Sequence, residues 1–426
     1  MQQKKFRTDK LSKRQAQIML FISGFIRMHH HAPTLQEIVD GTHIKDPGAA
    51  WRYLSVIEAK GYIELPRTAS GQRMHRRINI IKPISTRNAI LPNAPSDPAS
   101  DSGSADLPIV LRHSVQMQEI DQMGHMNVQF YAQKSVMAHW VQWAQLGFAR
   151  TQWGEDMQPV LREHHMRFLA EQLPGTPFYM CGGEAALNTP AASDPSAASD
   201  PSATSDLSEW VGYQEMRHST THKPLAAFTS RWQCVGKNGP HAWPEHLREK
   251  LAAWRVPPPP HGQARGIALS APRPRPTRAD AERLGMLTSW LGTLLPSHCD
   301  QQGRMQDWSV IALVSDAIPN LLTQTQKFDP GAAVQNRRGG AALEYRLIHH
   351  ATARAGDALQ LYSGLRAIGN KTLNWVHWLC DVASGQAIAT AEAVAISMDL
   401  EQRKAVAMDD ATRAQLASLV QASLSV

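Results

Sequence analysis

The sequence predicts an α+β protein: a small, basic helical module with a two-stranded wing, followed by two copies of a unit in which an antiparallel sheet wraps one long central helix. Three observations predict this. Charge is uneven, with a net +9 over residues 1 to 83 against −2 over the rest. A weak internal repeat aligns Ile120-Asp121-Gln122-Met123-Gly124-His125-Met126 with Cys299-Asp300-Gln301-Gln302-Gly303-Arg304-Met305, and self-similarity of this kind implies a duplicated structural unit. Each copy then enters a long helical pattern that is apolar around much of its circumference, as suits a helix enclosed by a sheet.

Length and composition set the frame. At 426 residues the chain is too long for one ordinary core, so two or three folded units are expected. Its 42% apolar and 19% charged residues are those of a globular protein, with no apolar run near the roughly 20 residues a membrane helix needs. The opening MQQKKFRTDKLSKRQ lacks the features of a secretory signal, so a cytoplasmic protein without a membrane partner is expected. Cys181, Cys234, Cys299 and Cys380 form no Cys-x-x-Cys pair and read as reduced thiols; no metal or cofactor is expected.

Compositional breaks place the boundaries. Residues 1–83 form the basic module, and residues 84–107, with NAPSDPASDSGSAD, a linker predicted to be disordered. Residues 108–235 form the first copy, interrupted at 188–208 by SDPSAASDPSATSD, which is too poor in apolar residues to offset the entropy of ordering. Residues 236–280, with WPEHLREKLAAW, Pro257 to Pro260 and PRPRP, suggest a short helix and a stiff connector. The second copy covers 281–410, and 411–426 form a C-terminal helix or tail.

In the basic module, Leu11, Ile18, Phe21, Ile22, Phe25 and Ile26 recur at helical spacing. Thr34 and Glu37 form a capping-box pattern for a second helix, and Asp46-Pro47 opens a third that Gly61 ends. Residues 62–65 and 77–81 fit two strands of a wing joined by RTASGQRMHRR. The marks LSKRQ, PTLQEI, DPGAA and KGYIEL make this segment resemble the winged helix-turn-helix of LexA-type repressors. The resemblance implies double-stranded DNA as a partner, with the third helix in the major groove and the wing on phosphates. Lys45 just before the helix, Gly48, Trp51 and Arg52 on it, and Arg76 and Arg77 on the wing are the expected contacts. His29-His30-His31 reads as a solvated helix end, because consecutive side chains point apart.

Behind the repeat motif, Asp121-x-x-Gly124-His125-Met126-Asn127 leads into VQFYAQKSVMAHWVQWAQLGF. This resembles the hotdog fold of 4-hydroxybenzoyl-CoA-type thioesterases, and the second copy resembles a diverged hotdog. The resemblance implies hydrolysis of an acyl-CoA or acyl-carrier-protein thioester, which needs a base or nucleophile and donors for the carbonyl oxygen. Asp121 is the candidate nucleophile or base, His125 and Asn127 orient water or donate to the oxyanion, and Gly124 admits the thioester. Each has a structural alternative: Asp121 shaping the turn, Asn127 capping the helix, His125 a satisfied core residue. Glu163 and Glu344 begin corresponding segments, each followed after twelve residues by a glycine turn.

In the second copy Arg304 and Gln306 replace His125 and Asn127, so one site is expected to be impaired. The helix WSVIALVSDAIPNLL places Asp316 in an apolar helical run, a second candidate carboxylate, with Asn320 four residues on as its substrate-binding companion. Two hotdogs in one chain are expected to pack as a pseudo-dimer with pockets at their seam, and the whole chain to form a homo-oligomer. The rival function is a transcription regulator that senses an acyl-CoA without hydrolysing it.

Overall fold

The structure, a computed structural model, describes residues 11–29, 31–42, 44–67, 78–81, 107–154, 157–186, 207–326 and 338–426. The chain forms two compact units, Met1–Ser100 and Asp101–Val426.

In the first unit, helices α1 (Lys13–His29), α2 (Leu35–Thr42) and α3 (Pro47–Ala59) precede a ribbon of β1 (Ile63–Glu64) and β2 (Asn79–Ile80). The capping box forms as the sequence spacing requires: Thr34 N donates to Glu37 Oε2 at 2.6 Å and Glu37 N to Thr34 Oγ1 at 3.2 Å. Asp46 caps α3 by accepting from Ala49 N at 2.7 Å, with Pro47 at the first helical position. Ile18, Ile22, Ile38, Leu54 and Ile57 close the core. That leaves Lys45, Gly48 and Arg52 exposed, while Trp51 is half-buried against the core. Arg76 and Arg77, and the basic loop that carries them from residue 68 onward, lie outside the described residues, as do the two segments expected to be disordered apart from their last one or two residues.

The second unit repeats one motif. The first copy runs β3 (Ile109–Ser114), α4 (Val128–Gln145), β4 (Gln158–Phe168), β5 (Pro177–Ala185), β6 (Glu209–His218) and β7 (Pro224–Gly236), with β8 (Gly239–Pro240) beyond it. Between the copies lie α5 (Glu245–Ala252), β9 (Arg255–Val256) and α6 (Arg278–Arg283). The second copy runs β10 (Leu287–Thr293), α7 (Ser309–Gln326), β11 (Arg338–His349), β12 (Ala358–Ile368), β13 (Thr372–Asp381) and β14 (Ala387–Asp399), then β15 (Lys404–Ala405) and α8 (Asp410–Ala417). Both copies place a bulge just before the repeated glutamate, between Leu161 and Glu163 and between Ala342 and Glu344. Both turn at a glycine of positive φ, Gly175 at 77° and Gly356 at 95°.

The two sheets join edge to edge through β4 and β11 into one 13-stranded sheet. Their antiparallel register, from Glu163↔Ile348 to Arg167↔Glu344, is centred on the pair His165↔Arg346. Around that centre the repeated glutamates make reciprocal contacts: Arg346 Nε donates to Glu163 at 2.7 Å, and His165 Nε2 lies 2.8 Å from Glu344 Oε1. Pairing removes the edge each sheet would otherwise expose. The central helices α4 and α7 share one core, in which Tyr131, Ala132 and Ala138 meet Val310, Leu313, Val314 and Ala317; each large side chain buried there contributes about 1.5–3 kcal/mol.

The segment 236–280 is more than a tether. Trp243, Leu247 and Leu251 are buried beside Trp143, Trp210 and Trp232, and β9 pairs with β5. Farther on, the chain crosses the seam: Arg265 N and Gly266 N donate to the Glu344 carboxylate, and Ala268 O and Ser270 O accept from Arg346.

Candidate functional site

The repeated motif builds the same loop twice. In the first, Asp121 N donates to His125 O at 3.0 Å, Gly124 N to Asp121 O at 3.0 Å, and Met123 N to Asp121 Oδ1 at 2.8 Å. In the second, Asp300 N donates to Arg304 O at 2.8 Å, Gly303 N to Asp300 O at 2.9 Å, and Gln302 N to Asp300 Oδ1 at 2.9 Å. Gly124 and Gly303 have φ of +79° and +72°, which the tight return of the chain requires. The shared aspartate therefore holds a turn in both copies.

The surroundings differ. His125 is nearly buried, with Nδ1 3.5 Å from Asp121 Oδ2 and Nε2 3.9 Å from Glu171 Oε1. Arg403, beyond β14, closes over this loop, donating to Met123 O at 3.2 Å and to Glu171 at 3.4 Å. Asn127 caps α4 by accepting from Gln129 N at 3.0 Å, and Ser315 Oγ donates to the same oxygen at 3.3 Å. The structure thus gathers Asp121, Gly124, His125 and Asn127, and brings the residue before Asp316 to Asn127.

Asp316 and Asn320 themselves correct the sequence reading. Both are exposed, on the face of α7 opposite Ile311, Val314 and Ala317. The apolar residues around them in sequence fall on the other side of the 3.6-residue period, so no buried carboxylate stands at position 316.

At the second loop, Arg304 grips Asp300 Oδ2 through Nε and Nη2 at 3.1 and 2.9 Å, and its Nη1 crosses the seam to Gln158 Oε1 at 2.7 Å. Arg150 stacks on Trp140 at 4.4 Å and lies 3.6 Å from Asp300. Beside them, Asp307 is half-buried where the chain enters α7. Burial pushes its carboxyl up to about 7; Arg304 and Arg150 oppose the rise and Asp300 adds to it. Asp307 faces two adjoining cavities. The larger, about 100 Å³, has walls that include Trp140, Trp153, Trp232 and Trp308. The smaller, about 40 Å³, is bounded by Arg162, Gln306, His349 and Thr352. Burial also holds His349 neutral, down to about 4, with His350 and Arg162 adding to the shift.

Sequence reasoning missed Asp307, Arg162 and His349. Extending the repeat alignment by one residue would have set Asp307 against Val128, a charge introduced at a helix start. Arg162 lies at the bulge of β4 and His349 at the end of β11, where alternation no longer predicts which way a side chain points.

Residues 8–71 match the LexA DNA binding domain family, and residues 294–416 match the thioesterase-like superfamily. The second match falls on the copy that carries Asp307. The N-terminal segment is 35% identical over 66 residues to the LexA repressor of Petrotoga mobilis, covering 16% of this chain and 32% of that protein; the chain spans about a third of that relative's length. Among solved structures, an acyl-ACP thioesterase from Bacteroides thetaiotaomicron aligns at 10% identity and TM-score 0.45, covering 67% of this chain and 96% of that one. A 12:0-ACP thioesterase from Umbellularia californica aligns at 11% identity and TM-score 0.46, covering 66% and 95%. Among the described residues no helix is long and apolar enough to cross a membrane. The chain thus joins a segment matching the LexA DNA binding domain to an α+β unit of two structural copies, the second of which matches the thioesterase-like superfamily.

Proposed function

We propose that this chain hydrolyses an acyl thioester at the second loop and binds DNA through its N-terminal domain. The observation that carries the first part is Asp307: a half-buried carboxyl whose ionisation is moved up to about 7, facing cavities at the seam. A general base works best when its pKa lies near the working pH. Ionised Asp307 takes a proton from water, whose oxygen adds to the thioester carbon. The carbonyl oxygen, now anionic, sits at the start of α7, where the helix dipole favours negative charge. Collapse breaks the C–S bond, and Asp307 returns the proton to the thiolate, leaving a free acid and a thiol.

On this reading Asp121 and Asp300 organise their loops, and Asn127 is a helix cap. DNA binding rests on exposed Gly48 and Arg52 along α3, on exposed Lys45 just before it, and on the basic balance of the segment. A chain paired through its hotdogs would offer two such helices to a two-fold operator. The rival reading, an acyl-CoA sensor, draws on the presence of that domain in the same chain. Turnover of an acyl-CoA panel by the full-length protein separates the two: hydrolysis that Asp307→Asn abolishes supports the enzyme, whereas binding without turnover supports the sensor. For the DNA part, affinity for duplex should fall steeply as salt rises; no binding at low salt would refute it.

A further inference from the structure

Residue-by-residue comparison of the two copies isolates the small cavity beside Asp307. Asp307, one residue past Gln306, corresponds to Val128, one past Asn127. Arg162, the bulge residue of β4, corresponds to Leu343, the bulge residue of β11, and His349, last in β11, corresponds to Phe168, last in β4. Three polar side chains that border one cavity thus stand where the other copy has valine, leucine and phenylalanine. A fold that accepts an apolar set at these places does not need the polar one for stability.

Two of the three also lack partners suited to their chemistry. Arg162 donates through Nε to the neutral Gln233 at 3.0 Å and makes no ion pair among the described residues, while burial lowers its pKa. The opposing charge that acts on it, Glu209, is engaged by Arg231 at 3.2 Å. His349 Nε2 is buried with no hydrogen-bond partner among the described residues. An imidazole nitrogen buried so is costly unless something else completes it, and the half-buried guanidinium beside it has no counter-charge of its own among the described residues. Arg162 adds to the shift of His349, whereas Arg304 and Arg150 are the cations that oppose the shift of Asp307.

We propose that the small cavity receives the far end of the acyl group and that this end is a carboxylate, paired with Arg162 and hydrogen-bonded by His349, so the substrate is the monothioester of a short dicarboxylic acid. A volume of about 40 Å³ admits only a few atoms beyond the reacting carbon, since one water needs roughly 10–15 Å³. The larger, tryptophan-walled cavity is left for the thiol portion. This rests on the hydrolase reading of the site and names its substrate class.

The test uses the full-length protein with succinyl-CoA and butyryl-CoA, which differ by a terminal carboxylate against a methyl group. After subtraction of the uncatalysed rates, kcat/KM should favour succinyl-CoA by on the order of 10- to 100-fold, as a hydrogen-bonded charge pair would give. Arg162→Leu, the residue the other copy carries there, should bring the ratio close to one, and His349→Phe should reduce it in part. Should Arg162→Leu fail to fold, Arg162→Lys keeps the charge and should retain part of the preference. Equal use of the two thioesters by the wild type overturns the inference while leaving the hydrolase intact, and so does a preference that survives Arg162→Leu. Absence of any turnover removes the hydrolase reading instead; equilibrium binding of the same two thioesters then decides, and equal affinities would overturn the inference.

Discussion

In the first loop His125 stands between Asp121 and Glu171 with Arg403 drawn over them, whereas in the second Arg304 reaches across the seam to Gln158 and Asp307 faces open volume. The two loops share their turn hydrogen bonds and their glycine. Their difference lies in the side chains around that frame, and it shows that the conserved-looking aspartate of the repeat marks a backbone shape. On the proposed reading the chemistry lies with Asp307, which follows Gln306 on the way into α7, and with Arg162 and His349 on the strands that border the same cavity.

The comparison breaks most directly at Asp307. Asp307→Asn should lower kcat/KM for a hydrolysed thioester by about 10²- to 10⁴-fold, the range expected for loss of a general base. In the wild type, activity should rise with pH through about 7, because Asp307 acts as base only when ionised. An Asp307→Asn enzyme with wild-type turnover would return the reaction to Asp121 or to the face of α7.

The seam offers a second, smaller contrast. Glu344 is buried and accepts from His165 and from two backbone N–H groups, while Glu163 is less buried and is served by Arg346 and, at 3.8 Å, Arg231. Glu344→Gln should therefore cost about 1–3 kcal/mol in denaturant unfolding and Glu163→Gln less. The pH sign at Glu344 differs from that of Asp307. Burial works against the Glu344 charge, but His165 and the two N–H groups outweigh it and hold the carboxyl below its usual range. Its stabilisation is present above the unfolded carboxylate pKa and fades as pH falls through the lower, folded value. Asp307 is raised, so the folded chain holds its proton longer than the unfolded one, and its contribution declines as pH climbs from about 4 to 7. Asp307→Asn should then raise the midpoint of thermal unfolding at pH 8 more than at pH 4; an equal change at both would contradict the raised pKa.

These contrasts explain what could be read in the sequence. The duplicated frame was legible because turns, caps and glycine positions follow local chemistry: Gly124 with Gly303, Gly175 with Gly356, Asp46 before Pro47, Thr34 with Glu37. The edge-to-edge joining followed from the need to cover two sheet edges. What depended on direction in space was not legible. Asp316 reads as buried in a string of apolar residues and is exposed because the helix turns it outward. Arg162 and His349 come from strands of different copies and meet at one cavity only after the copies pair. The segment 236–280 reads as a short helix and a stiff connector, and nothing in that reading says that its Trp243 and Leu247 are buried among the tryptophans of the first copy.

The finest test compares the two shared aspartates. In Asp121→Asn and Asp300→Asn the amide oxygen can still accept from Met123 N or Gln302 N, so both loops should keep their shape. The charge is lost and, at position 300, so is the Oδ2 acceptor that Arg304 holds, and the consequence depends on what that group touches. Asp121 faces His125 at 3.5 Å within a loop closed by Arg403, and its neutralisation should leave kcat/KM within about a factor of a few. Asp300 pairs with Arg304 and Arg150, the same cations that act on Asp307. Removing its charge frees those cations to favour ionised Asp307 and deletes a like charge beside it, two changes of the same sign. The midpoint of the pH–activity profile should therefore move to lower pH in Asp300→Asn and stay in place in Asp121→Asn. Equal midpoints in both variants would mean that Asp307 is not the group titrating in the profile, and a large loss of turnover confined to Asp121→Asn would place the base in the first loop after all.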